Sequence, residues 1–81
     1  MYSAMWSSSS IKMLNVGLAD PQHTGTLLQN AALLQRRSTI LDFRQFGNGV
    51  QIMYMADTPN AIRTIEEQLY KNMPCQLIFH Q

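Results

Sequence analysis

The chain has 81 residues, a formal net charge of +1, 46% hydrophobic residues and only 14% charged ones, which leaves room for one domain. The apolar share builds a core and argues against disorder. So few charges leave part of the surface apolar or neutral, and partners commonly cover such surfaces. The only basic pair, Arg36–Arg37, is no basic stripe of the kind nucleic-acid binders carry. No apolar run approaches the about 18–20 residues of a membrane span. The opening MYSAMWSSSS has neither the charge nor the apolar core of a secretory signal. The single cysteine, Cys75, has no partner for an internal disulfide, which suits a reducing, cytoplasmic setting.

Residues 1–9 are read as a flexible serine-rich lead-in whose Tyr2, Met5 and Trp6 are available for docking, and residues 10–81 as one folded domain. IKMLNVGL alternates, with Leu14, Val16 and Leu18 on one face and Met13 and Asn15 on the other, as a strand does. Asp20-Pro21 stops it. Thr24 or Thr26 is placed to cap a helix reaching about Arg37. Its apolar stripe is Leu27, Ala31 and Leu34, with Leu28 and Ala32 beside it, and its terminal arginines suit the helix dipole. TILDFRQF and VQIMYM flank Gly47-Asn48-Gly49, a hairpin signal because Asn and Gly accept positive φ cheaply. Thr58-Pro59 reads as a cap followed by proline at the first helical position. Ile62, Ile65 and Leu69 form the second stripe, with Ala61 and Tyr70 nearby. Pro74 ends it, and CQLIFH is the last strand.

Strand, helix, strand, strand, helix, strand most simply folds as an α+β domain. The expected arrangement is the ferredoxin-like βαββαβ, a four-stranded antiparallel sheet with two helices on one face. The helix-facing side is expected to carry Leu14, Val16, Leu18, Leu41, Phe43, Val50, Ile52, Tyr54, Leu77 and Phe79. The open side would carry Met13, Asn15, Ile40, Arg44, Phe46, Gln51, Met53, Met55, Ile78 and His80. A solvated sheet face normally turns polar, whereas this one keeps Met13, Phe46, Met53, Met55 and Ile78. Those five predict an interface with a second copy or another protein, against the plainer alternative that long side chains cover a small exposed surface. RNA-recognition domains share this element order, but Met13, Asn15, Gln51 and Met53 are poor substitutes for base-stacking aromatics. No nucleic-acid partner is expected.

Catalytic material is sparse. His23 and His80 have no carboxylate at a spacing that suggests an orienting partner. A metal site needs three or four ligands, and Cys75, His80 and His23 would converge only by tertiary accident. Cys75 reads as a small hydrophobe, and the adjacent Glu66 and Glu67 point in different directions on a helix. The expectation is a protein that is not an enzyme and has no metal or cofactor. The loop before the first helix is the remaining candidate. Gly25 lets a backbone approach a ligand closely, and a helix N-terminus offers N–H groups to an anion. Asp20, His23, Gly25 and Thr26 are therefore the candidate ligand residues, against the alternative of a simple turn and a capped helix.

ADPQHTGTLLQNAALLQRRSTILDF resembles the start of an ACT domain, in which a strand ends in an Asp-x-x-Gly-x-Leu-like turn before a helix. Asp20, Gly25 and Leu27 match that turn with the spacing lengthened by QHT; Leu33, Leu34 and Arg37 resemble the helix and Ile40 the next strand. The resemblance covers residues 19–43, and the rest of the chain only in element order. It implies a regulatory module that pairs through sheet edges or faces and binds amino acids at the interface, without catalysis. GNGVQIMYMADTPNAIRTIEEQL is also similar to the strand-helix unit of blue-light flavin-sensing domains, with Gln51 at their glutamine, but IKMLNVGL lacks the tyrosine those domains need. Two classes of function follow. One is a self-associating regulatory module that binds an amino acid or small anion at the first strand-helix loop. The other is an assembly subunit with no small-molecule ligand.

Overall fold

The computed structural model describes residues 10–56 and 60–80, so the aromatic lead-in and Thr58-Pro59 lie outside the described residues. Six elements follow in chain order: β1 (Ile11–Leu18), α1 (Thr24–Arg36), β2 (Asp42–Phe46), β3 (Gly49–Met55), α2 (Ala61–Leu69) and β4 (Leu77–His80). A 3-10 turn, Pro21–His23, leads into α1. The fold is α+β, with one four-stranded antiparallel sheet in the order β2-β3-β1-β4.

Strand alternation decides what the sheet buries. Leu14 pairs with Ile52 and Val16 with Val50, and all four are buried in one core with Leu27, Ala31 and Leu34 of α1 and Ile65 and Leu69 of α2. Tyr54 and Leu77 join that core, while Leu18, Phe43 and Phe79 pack partly buried against it. Both helices therefore cover the same side of the sheet, the side that the period-two pattern assigns to them.

The corner between α1 and β2 departs from the expected alternation. Ile40 is 3% exposed and Leu41 44%, the reverse of the assignment made from a strand starting at Thr39. The helix ends in a Schellman turn, in which Ser38 takes φ +63. Ser38 N–H donates to Gln35 C=O, and Thr39 N–H donates to Leu34 C=O at 2.9 Å. Ile40 N–H also lies 3.4 Å from the Leu34 carbonyl, so Ile40 belongs to the helix cap and its side chain folds under the helix. Alternation begins only at Asp42.

The hairpin is tighter than the sequence suggested. Phe46 pairs with Gly49, leaving Gly47 and Asn48 as the two-residue turn, and only Gly47 takes positive φ. Gly49 serves a different need: a Cβ there would collide with the Val16 carbonyl oxygen. This glycine is what lets β3 approach β1.

Two hydrogen-bond arrangements lock the layers together. Asn30, 6% exposed in the apolar stripe of α1, donates its amide Nδ2 to Leu69 C=O at 3.0 Å and to Lys71 C=O at 2.8 Å. It thereby satisfies carbonyls at the end of α2 that a helix leaves unpaired. Tyr70 Oη accepts from Leu77 N–H at 3.1 Å and lies 3.2 Å from Leu77 C=O. Its ring packs against Phe79 at 5.9 Å, fixing β4 to the end of α2.

Candidate binding face and loop

The sheet side opposite the helices is organised in rows that follow from strand register. Met13 lies opposite Met53, and Met53 opposite Asp42. The next row is His80, Asn15, Gln51 and Arg44, each directly across from its neighbour. Gln51 Nε2 donates to Asn15 Oδ1 at 3.0 Å, and Arg44 Nε donates to Gln51 Oε1 at 2.8 Å. A polar ladder thus crosses three strands of this face and holds the guanidinium through its Nε.

Below that ladder, Phe46 pairs with Gly49 and Ile78 with Gly17, and the two glycines lie side by side. Neither Phe46 nor Ile78 has a cross-strand side chain to cover it, and they are 56% and 47% exposed. Met13 is 38% exposed, while Met53 and Met55 are half-buried. The five residues expected to form an interface, Met13, Phe46, Met53, Met55 and Ile78, therefore share one face. A pocket of about 350 Å³ opens there, lined by Met13, Asp42, Phe43, Arg44, Gln51 and Met53.

The loop before α1 is differently built. Asp20 accepts Gln22 N–H through Oδ1 at 3.0 Å, capping the 3-10 turn. Its Oδ2 lies 3.7 Å from His23 Nε2. Gly25 and Thr26 sit in the first helical turn, Gly25 exposed and Thr26 half-buried. Capping by Thr24 or Thr26 is replaced by another arrangement: His23 occupies the cap position and makes no side-chain cap hydrogen bond. The Thr24 hydroxyl instead lies 2.9 Å from Pro21 C=O and 2.7 Å from Asn48 C=O, so its one proton is shared between its own turn and the hairpin. Asp20 and His23 are brought together, but the hydrogen bonds of the Asp20 and Thr24 side chains go to backbone groups of the turn and of the hairpin. A Cβ on Gly25 would meet nothing within 4 Å.

His80 sits beside Asn15 in the open face, remote in sequence and strand from the His23 loop, and Cys75 is a half-buried free thiol ahead of β4. Among the described residues there is no group of three His, Cys, Asp or Glu that could hold a metal ion, and no helix long and apolar enough to cross a membrane. Sequence reasoning missed Asn30, although a polar residue set between Leu27, Ala31 and Leu34 was its signal. It also missed the pairing of Arg44 with Gln51, which follows once Phe46 and Gly49 are set opposite each other. The contact from Gln51 to Asn15 had no such signal, because nothing local fixes the register of β1 on β3.

No family model matches the chain, and no curated protein or solved structure is significantly similar to it. The ACT-like resemblance of residues 19–43 accordingly finds no support outside the residues themselves.

Proposed function

We propose that the protein is a non-catalytic interaction module that works through the open side of its sheet and pairs there with a second copy of itself. The carrying observation is that Met13, Phe46 and Ile78, three of the exposed large hydrophobic residues, stand on that one face, with Met53 beside Met13, Met55 one row beyond, and the polar row of Asn15, Gln51 and Arg44 between Met13 and the Phe46–Ile78 end. Several large apolar side chains left exposed on one face commonly mark an interaction surface.

We take the architecture as ferredoxin-like. Read from the other edge, the strand order is β4-β1-β3-β2, and the two helical connections run from β1 to β2 and from β3 to β4, as a split βαβ unit requires. The lone thiol of Cys75 suits a cytoplasmic setting. Of the two functional classes, assembly has the stronger support. The regulatory alternative, with an amino acid or small anion held by Asp20, His23, Gly25 and Thr26, has to compete with hydrogen bonds that already serve the turn.

Size sets how tightly the copies pair. Four strands about 4.8 Å apart and six residues long give a face of about 400 Å² in projection. A stable interface uses about 800 Å² per partner, so pairing is reversible and concentration-dependent. Sedimentation across the micromolar range should show a monomer–dimer equilibrium in the wild type and monomer in Met53→Lys/Met55→Lys. A wild type that stays monomeric at high micromolar concentration refutes self-pairing.

A further inference from the structure

We propose that Asp42 and Tyr70 close the two edges of the sheet to strand addition, so that copies of the chain do not join edge to edge. The strand order makes β2 and β4 the edges of the described sheet. In an antiparallel ladder, residues alternate between exchanging both hydrogen bonds with the neighbouring strand and turning both groups away from it. The two-residue turn makes Phe46–Gly49 a bonded pair, and counting by twos makes Arg44–Gln51 the next. Phe43 and Gln45 therefore aim N–H and C=O outward from β2. On the other side, Ala19 N–H donates to Gln76 C=O at 3.2 Å, so Gly17–Ile78 and Asn15–His80 are bonded pairs. Leu77 and Phe79 are then the residues of β4 that aim outward.

Each edge thus offers a newcomer two outward residues, and one of the two is already engaged. Phe43 N–H donates to Asp42 Oδ1 at 2.8 Å, and Gln35 Nε2 donates to the same oxygen at 3.2 Å, tying the carboxylate to α1. That carboxylate stands where the carbonyl of an added strand has to come, and it repels that carbonyl. At the other edge, Tyr70 Oη accepts Leu77 N–H at 3.1 Å and lies 3.2 Å from Leu77 C=O. One hydroxyl takes both outward groups of Leu77. The Tyr70 ring rests against Phe79 at 5.9 Å, which anchors the hydroxyl along β4.

Gln45 and Phe79 remain, one on each edge. Strand addition draws its affinity from a run of main-chain hydrogen bonds, and a single bonded residue is not a run. The consequence of an unprotected pair of edges follows from symmetry. Placing β2 of one copy against β4 of the next is a head-to-tail contact, which grows into an open ribbon unless its rotation closes a ring. Proteins that leave such edges bare aggregate through them. The closure argued here stands on β2, β4, Gln35 and Tyr70, and does not rest on pairing through the open face.

The test is amide hydrogen exchange of the full chain, read residue by residue by NMR at low and high micromolar concentration. In the wild type, Phe43 and Leu77 should exchange about tenfold more slowly, relative to their intrinsic rates, than Gln45 and Phe79, at both concentrations. Asp42→Ala should release Phe43, and Tyr70→Phe should release Leu77. The double variant should associate as concentration rises, with new protection at Gln45 and Phe79. Asp42→Asn loses the same charge but keeps an acceptor oxygen, so it should retain the protection of Phe43. Face pairing is read separately, as shifts of the Met13 and Met53 methyl groups without protection at Gln45 or Phe79. The proposal is overturned if Gln45 and Phe79 become protected in the wild type as concentration rises, or if Phe43 and Leu77 exchange as freely as they do. It is equally overturned if a folded double variant gains no edge protection, or if Asp42→Asn behaves as Asp42→Ala. The wild-type pattern needs no variant, so it decides even where Tyr70→Phe fails to fold.

Discussion

Asn30 offers the sharpest test of how the two helices are held together. In Asn30→Ala the amide that donates to Leu69 C=O and Lys71 C=O disappears. Leu69 is fully buried, so its carbonyl loses its donor where water does not easily replace it, at a cost of about 1–3 kcal/mol. The Lys71 carbonyl is nearer solvent and loses about 1 kcal/mol. The sum expected is about 2–4 kcal/mol, against a total of about 4–12 kcal/mol for a chain of this length. That corresponds to a fall in Tm of about 10–30 °C. Urea denaturation followed by far-UV circular dichroism, at one fixed protein concentration because the proposed pairing would make stability concentration-dependent, should show a lower midpoint with unchanged m. Asn30→Asp separates hydrogen bonding from packing. It preserves the side-chain shape but turns acceptor oxygens toward two carbonyls, and buries a charge without a partner. If the donor matters, Asp is worse than Ala; if volume matters, Asp is milder. A loss below about 0.5 kcal/mol in Asn30→Ala, or a milder Asp variant, refutes the reasoning.

The glycines make a contrasting pair in the same assay. Gly25→Ala is expected to stabilise by about 0.5–1 kcal/mol, because the methyl meets nothing and the unfolded chain loses freedom, whereas Gly49→Ala should cost at least about 3 kcal/mol or fail to fold, since its Cβ has to displace the Val16 backbone. Equal effects at the two positions would contradict the strand spacing described above. Ser38→Gly should stabilise by about 1 kcal/mol by relieving a left-handed φ at the end of α1, and a destabilised variant would mean that the Schellman turn is misassigned.

What was legible in the sequence was what local physics decides. The run from Ile11 to Leu18 alternates with nothing to interrupt it, so its strand and buried face followed directly. The stripe Leu27, Ala31, Leu34 likewise gave α1 and the side it buries. Failure came where a turn rather than a period sets direction. Ser38 ends α1 without the glycine that usually marks a Schellman turn, so alternation from Thr39 predicts Ile40 open and Leu41 covered, where Ile40 is buried and Leu41 exposed. The loop after β1 was misleading for a related reason. Asp, Pro, His, Thr and Gly in succession serve equally to bind an anion or to close a turn, and Thr24 reaches a partner, the Asn48 carbonyl, that is 24 residues away. The open-face pocket was out of reach for a stronger reason. Arg44 and Gln51 are joined by a hairpin that the sequence marks, but Asn15 comes to Gln51 only through the packing of β1 on β3. Local pattern therefore locates the apolar residues of this face, and long-range register alone determines which charges are held among them.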